Sequence, residues 1–290
     1  MSQNIKGAAL MTGSMVAFAI NDAFLRSIGG GLPVFQTLTL RGLLVVTFLA
    51  ALVWATGTWV PQRLTRREKW LLVARSVTEI GAAFFIVNAL FNMELAKVTA
   101  ILQILPLTIP LAIWLFLREP MGWRRMVAIG IGFVGMLLIV QPGGPDYSVY
   151  SLYCLGAVVC VTARDVLSRR LGHKVSSSLI SFYSALSVLL FAAVATQFET
   201  WEPVGQAHVW ALLGSSVAIL LGYVFSVMVM RTGEVGFTAQ FRYMGLIAAL
   251  VIGYLAFGEW PNVLTLCGAA IVVTTGLFTL LRERQLQNAD

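Results

Sequence analysis

Seven ionisable side chains lie inside long apolar runs of this chain: Asp22, Arg41, Arg75, Glu79, Arg164, Asp165 and Arg242. A charge in the middle of an apolar helix costs at least ~2.5–3.5 kcal/mol on the membrane-insertion scale, so it normally faces protein or water and finds a partner. Four arginines against three acids leave an excess of one positive charge, which suits a ligand bearing a carboxylate or another anionic group. Depth sorts them into two layers. Asp22 and Arg41 fall in the outer third of their runs and predict an acid–base pair; the other five fall in the inner half. Two such layers would serve as alternating gates, and the competing reading is static ion pairs that hold helices together. Arg75 and Glu79, four apart, fit one helix face, and Arg75 is close enough to a helix end to snorkel. Adjacent Arg164 and Asp165 point ~100° apart on a helix. At least one of them should therefore look elsewhere, with Arg242 as a partner. A desolvated Asp22 or Glu79 is a candidate proton carrier, which makes a proton the candidate coupling ion.

Uncharged polar residues extend this set. Asn21, Asn88, Gln103, Gln240 and Tyr243 each need a hydrogen-bond partner inside hydrocarbon, either a ligand or a neighbouring helix. Pro106 and Pro110 remove backbone bonds from one run and predict a kink that bares carbonyls to a cavity. The matching stretch of a later run has Gly245 and no proline, so the correspondence is partial. Phe18, Phe84, Phe85, Trp114 and Phe241 are available as aromatic walls, although aromatic residues also serve as ordinary packing.

The elements that must position these residues are ten apolar runs, at roughly 5–29, 34–56, 70–92, 95–117, 122–140, 149–170, 176–196, 208–230, 235–257 and 260–281. Each is near the ~20 residues needed to cross a ~30 Å hydrocarbon core. If the first residues are cytoplasmic, the inner segments carry fourteen Lys and Arg, and the outer connections carry only Arg26 and Lys97. This asymmetry predicts a multi-pass protein of the cell inner (plasma) membrane with both termini in the cytoplasm. With 58% hydrophobic and 11% charged residues, a soluble globule is excluded. The net charge of +7 belongs to this topology signal, not to nucleic-acid binding. The opening segment reads as the first span and not as a signal peptide. Cys154, Cys160 and Cys267 lie within spans without metal-ligand spacing, and no cofactor or metal is expected.

The chain repeats itself. An offset of 143 sets Gly13 on Gly156, Asn21-Asp22 on Arg164-Asp165, Arg26 on Arg169 and Gly29 on Gly172. An offset of 140 sets Leu117-Arg118-Glu119-Pro120 on Phe257-Gly258-Glu259-Trp260. Five spans per repeat is odd, so the second half enters the membrane from the opposite side. Inverted repeats of this kind allow two half-bundles to rock about one site, as secondary transporters do. The expected fold is an all-α integral membrane protein with ten transmembrane helices in two inverted five-helix repeats, residues 1–145 and 146–290.

The five-plus-five layout, Arg41 early in the second span, and the junctions Glu119-Pro120 and Glu259-Trp260 resemble the drug/metabolite transporter superfamily in its EamA-type branch. The resemblance covers essentially the whole chain. It implies a ten-helix secondary carrier of small metabolites, often outward, with a central cavity lined mainly by spans 1, 3, 4, 6, 8 and 9. One departure is Asn21-Asp22, which stands where many members carry an aromatic residue followed by Gly or Ser.

Other motifs dissolve in context. Gly130-Ile-Gly-Phe-Val-Gly135 spells a dinucleotide fingerprint but lies mid-span, with no strand before it. Ala128, Gly132 and Gly135, with Gly268, read as small-residue helix contacts that brace the bundle or form a dimer seam, so the assembly is a monomer or a homodimer. His173 and His208 lie in or at loops, and no hydrolase, metalloprotease or nucleotide-binding motif occurs, so an enzyme is not expected. The function expected is gradient- or exchange-driven transport of an amino-acid-like, carboxylate-bearing or zwitterionic metabolite, with export as the default. The alternatives are vitamin-like uptake of a riboflavin-type molecule, a lipid-handling flippase or scaffold, and a channel.

Overall fold

The computed structural model describes residues 3–55, 65–118, 121–171, 177–230 and 235–287. The junction at Glu119-Pro120, Gly172 and His173 lie outside the described residues. The first half contains α1 (Gln3–Ile28), α2 (Val34–Ala55), α3 (Arg66–Asn92), α4 (Leu95–Leu102), α5 (Leu105–Leu117) and α6 (Trp123–Val140). The second contains α7 (Tyr150–Leu171), α8 (Ser177–Ala195), α9 (Gln206–Met230), α10 (Val235–Thr238), α11 (Met244–Phe257) and α12 (Val263–Gln287). Short 3-10 turns follow α8 and α10, and no strand occurs among the described residues. Helices α4 and α5 share one crossing, as do α10 and α11, so among the described residues ten segments are long and apolar enough to span a bilayer. Short connections make consecutive crossings antiparallel. We call the face where α1 begins the near face and the opposite one the far face.

The third crossing starts at Arg66, a turn earlier than its apolar run. A capping box sets that start: the Glu68 N–H donates to the Thr65 hydroxyl at 3.3 Å, and the Thr65 N–H donates to the Glu68 carboxylate at 2.8 Å. Two residues placed by sequence in outer connections are instead helical. Arg26 lies in the last turn of α1, and Lys97 in the first turn of α4, where it is buried and donates to the Asp146 carbonyl at 2.6 Å.

The widest helix interfaces are α1 with α9 and α3 with α7, then α6 with α12 and α2 with α8. Exchanging the two halves turns the first interface into the second and leaves the last two unchanged. Between α6 and α12 the backbones approach closely. A Cβ on Gly135 would stand 2.9 Å from the Gly268 carbonyl oxygen, and one on Gly268 would stand 2.5 Å from that of Gly135. The small-residue face of the fifth span is thus used within the chain, as bracing.

Leu25, Ile28, Leu90, Leu95, Ile101, Ile104 and Leu107 are fully buried where α1, α3, α4 and α5 meet. Lipid is as apolar as leucine, so what these contacts contribute in a bilayer is close packing. The outward faces stay apolar, as with Val127, Ile131 and Val134 along α6, which fits contact with acyl chains.

Candidate functional site

Two crossings are broken in the interior. In the first, α4 ends at Leu102 and α5 restarts at Leu105, with Pro106 in its first turn and Pro110 further in. Pro106 lacks an N–H, and its ring would strike the carbonyl one turn back. The chain between is held by the Gln103 N–H on the Thr99 carbonyl (3.0 Å) and the Ile104 N–H on that of Ile101 (3.2 Å). In the second, a 3-10 turn over Ala239–Tyr243 precedes α11 with no proline present. There Tyr243 is buried against α12 at Gly276, where a Cβ would collide with the tyrosine hydroxyl. At the offset of 140, Gln103-Ile104 falls on Tyr243-Met244. The left-handed residues that end α5 and α11, Arg118 (φ 57°) and Gly258 (φ 66°), correspond as well. The match between halves, partial in the side chains, is fuller in the backbone.

The breaks touch. Gln103 Nε2 donates to the Arg242 carbonyl at 3.4 Å, and Gly245 faces Met15 of α1 and the Gln103 amide. The Arg242 guanidinium is exposed and makes no ion pair among the described residues. It is not the partner of Asp165 that adjacency had suggested.

On α1 and α2 the expected Asp22–Arg41 ion pair is replaced by a relay. Arg41 Nη2 donates to Asn21 Oδ1 at 2.9 Å, and Asn21 Nδ2 donates to Asp22 Oδ1 at 2.8 Å. Asn21 is buried and both charged residues are partly so, and the Arg41 Nε has no acceptor among the described residues. Asn21 therefore separates two charges that would otherwise neutralise each other directly.

The inner residues form a chain of ion pairs between α3 and α7. Arg75 Nη2 lies 3.7 Å from Glu79 Oε2, and Arg164 Nη1 lies 3.3 Å from Glu79 Oε1. Arg164 Nε donates to Asp165 Oδ1 at 2.9 Å. Adjacent residues thus do pair here, because the long arginine stem folds back to its neighbour. Arg75 also donates to Ser168 Oγ at 2.8 Å and to Ser184 Oγ, which adds α8. Two arginines and two acids make this network neutral. Tyr223 of α9, absent from the sequence-based set, stands within electrostatic reach of Arg41, Arg75, Glu79 and Arg164. Its ring meets Phe18 of α1 edge-on at 5.7 Å. No short-range signal marked it, since its neighbours come from four other helices.

The remaining expected residues divide. Asn88 donates to the Phe84 carbonyl of its own helix at 2.8 Å, and Gln240 lies partly buried in the 3-10 turn. Phe84 stacks on Phe35 at 5.6 Å and 19°, with Phe85 and Tyr153 close by, so an aromatic wall joins α2, α3 and α7. Phe241 contacts Phe237 within its own segment, and Trp114 is exposed.

Toward the far face, Arg26 Nη2 pairs with Glu259 Oε1 at 2.9 Å, and Arg26 Nη1 donates to the Phe91 carbonyl at 2.9 Å. The other Glu259 oxygen accepts the Leu95 N–H at 3.0 Å, at the start of α4. Beside this pair a recess of about 330 Å³ is lined by Asn92, Glu94, Lys97, Asp146, Trp260 and Asn262 among others. Glu94 lies between crossings, where burial first and the Glu259 carboxylate second push its carboxyl above the usual range.

A bundle of ten crossings, two of them broken at matching places and touching, with charged layers in its interior, defines the class of membrane carriers. Within that class the chain belongs to the EamA-like transporter family, whose model matches residues 5–141 and again 149–281. It is 25% identical to the S-adenosylmethionine uptake transporter of Rickettsia felis, over 94% of this chain and 91% of that one. It is 26% identical to a riboflavin transporter of Vibrio cholerae, over 94% and 92%. A pseudopaline exporter of Pseudomonas aeruginosa is 25% identical over 92% and 93%. A solved crystal structure shares the fold with a TM-score of 0.63 at 18% identity, covering 94% of this chain and 98% of that one. The family and these relatives are transporters of small molecules, which agrees with the expectation of a carrier.

Proposed function

We propose that this protein is a secondary carrier of a small carboxylate-bearing, zwitterionic metabolite such as an amino-acid-like compound, moved by alternating access between two inverted halves, residues 1–145 and 146–290. The observation that carries this reading is the contrast between the neutral network of Arg75, Glu79, Arg164 and Asp165 and Arg242, whose main chain lies where the two breaks touch and whose exposed guanidinium makes no ion pair among the described residues. A guanidinium offers a fork that matches a carboxylate. Arg41 and Asn21 supply further donors from the opposite layer, and Gln103, Gln240 and Asn88 supply polar contacts near the breaks and on α3. With no nucleotide-binding motif, transport runs on a gradient or on exchange, and Asp22 is the acid placed to carry a proton. Both ends face the cytoplasm of an inner membrane, and the default direction is outward. The unit is a monomer or a homodimer.

A ring-bearing substrate is the second reading, favoured by the stacked Phe35–Phe84 pair beside Tyr153. S-Adenosylmethionine, named for the Rickettsia relatives, combines an α-amino acid end with an adenine ring, so one molecule would engage both the arginine and the aromatic wall. Riboflavin supplies a ring without a carboxylate, and its uptake is the nearest rival. The test is a thermal-shift screen of the purified protein against a metabolite library, followed by counterflow in liposomes. A ligand at 100 times its Kd stabilises by roughly 2.7 kcal/mol, a readable shift. Stabilisation by carboxylate-bearing zwitterions with saturable counterflow supports the proposal. Stabilisation by riboflavin alone moves the rival forward, and stabilisation only by long-chain lipids replaces it with lipid handling.

A further inference from the structure

We infer that Arg26 and Glu259 are the far-side gate of the transport path, a role that rests on the carrier reading but not on its choice of substrate. The pair joins segments of both halves, since Arg26 closes α1 and Glu259 lies in the connection between α11 and α12. Both Nε and Nη2 of Arg26 reach Glu259 Oε1, at 3.2 and 2.9 Å, which fixes the guanidinium in plane. Nη1 turns to the last carbonyls of α3, Leu90 (3.4 Å) and Phe91 (2.9 Å). Glu259 Oε2 holds the first N–H of α4. One ion pair therefore ties the far ends of α1, α3, α4 and the α11–α12 connection.

The position of this tie is that of a gate. Arg26 stands four residues beyond Asp22 on α1, one turn toward the far face on the same side of the helix. The carbonyls it holds lie two and three residues beyond Asn88 on α3. Asp22 and Asn88 thus lie on the near side of the Arg26–Glu259 layer. Gly29 presses on the Phe91 backbone, where a Cβ would stand 2.9 Å from both its Cα and its carbonyl oxygen, so the ends of α1 and α3 touch without an intervening side chain. Access from the far face requires these ends to part, and the ion pair is the bond across the parting line. Both side chains remain partly exposed, 24% for Arg26 and 13% for Glu259, so water is available to solvate them once separated.

The test uses Asn88→Cys as a reporter in the full chain with Cys154, Cys160 and Cys267 replaced by alanine or serine. A membrane-impermeant maleimide is added from the far face without substrate. Glu259→Gln removes the charge yet keeps an oxygen for the Leu95 N–H, so the helix start is retained. The labelling rate should rise severalfold at an unchanged melting temperature. Arg26→Gln should act in the same direction and is read in place of the first variant if that one does not fold. A folded variant labelled at the parental rate or more slowly overturns the gate. Because no substrate is present, faster labelling in a protein that fails to move carboxylates would leave the gate standing and reject the substrate reading instead.

Discussion

Gln103 and Arg242, 139 residues apart, meet through a side-chain amide and a main-chain carbonyl at 3.4 Å, and each lies at the interruption of its own helix. The contact joins the α4–α5 break of the first half to the 3-10 turn of the second. An element that differs between two states of a carrier is expected at such a junction, because broken helices bend there at little cost.

Gln103→Leu removes this link while keeping the side chain's bulk. A net hydrogen bond contributes about 0.5–1.5 kcal/mol, so unfolding in detergent should shift by no more than about 1 kcal/mol. Transport turnover should nevertheless fall roughly tenfold, equivalent to ~1.4 kcal/mol in the barrier. Initial-rate measurements in liposomes, set beside the melting curve, separate the two effects.

Arg242→Lys keeps the positive charge but loses the planar fork, so Kd for a carboxylate ligand should weaken about tenfold, or ~1.4 kcal/mol. Arg41→Lys should weaken it less, because the Arg41 guanidinium is already engaged by Asn21. Titration by ligand-induced thermal shift ranks the two; equal effects would assign both to direct contact.

The two candidate proton carriers should separate cleanly. Glu79 is shared by Arg75 and Arg164, so Glu79→Gln leaves the network with one positive charge in excess and should cost about 3 kcal/mol of stability. Among the described residues Asp22 bonds only to neighbouring Asn21, so Asp22→Asn should leave stability nearly unchanged and abolish pH-gradient-driven transport while sparing exchange. Retained proton coupling in that variant would remove Asp22 from the mechanism.

Gly268 faces the Gly135 carbonyl so closely that any side chain meets main chain, which does not move aside. Gly268→Leu should therefore destabilise the protein by at least the ~1–3 kcal/mol of ordinary overpacking. Reduced membrane yield and a lowered melting temperature are the readouts. Gly130→Leu, on the same helix but facing open space, is the matched control and should be silent.

Glu94 gives stability a pH dependence of defined sign. Its carboxyl is held above the usual range in the folded state, so the native protein binds that proton more tightly than the unfolded chain does. This contribution favours folding below the unfolded-state value and is lost as pH rises through the folded one. Glu94→Gln should flatten the fall in melting temperature as pH rises above the ordinary carboxylate range; an unaltered slope would assign it to other groups.

Much of this protein was legible without coordinates. The ten crossings follow from runs of bilayer length, and both layers of interior charge follow from counting residues along each run. The capping box at Thr65-Arg66-Arg67-Glu68 was present as a sequence pattern too, and reading it would have placed the start of α3 correctly. The repeat appeared in the Arg26/Arg169 and Glu119/Glu259 correspondences. Partners were another matter. Arg26 with Glu259, Glu79 with Arg164, and Tyr223 with both layers depend on which faces of which helices meet. A membrane helix that is apolar all round carries little periodic signal of its buried side, so sequence cannot rotate it. The Arg164–Asp165 pair and the Asn21 relay depend on side-chain reach, which Cβ direction alone does not set. The break before α11 has no proline to announce it and depends on Tyr243 seating at Gly276, 33 residues away. Composition thus determined which runs are long and apolar enough to cross a membrane. Close packing between helices decided which charges neutralise each other and left Arg242 without a counter-charge among the described residues.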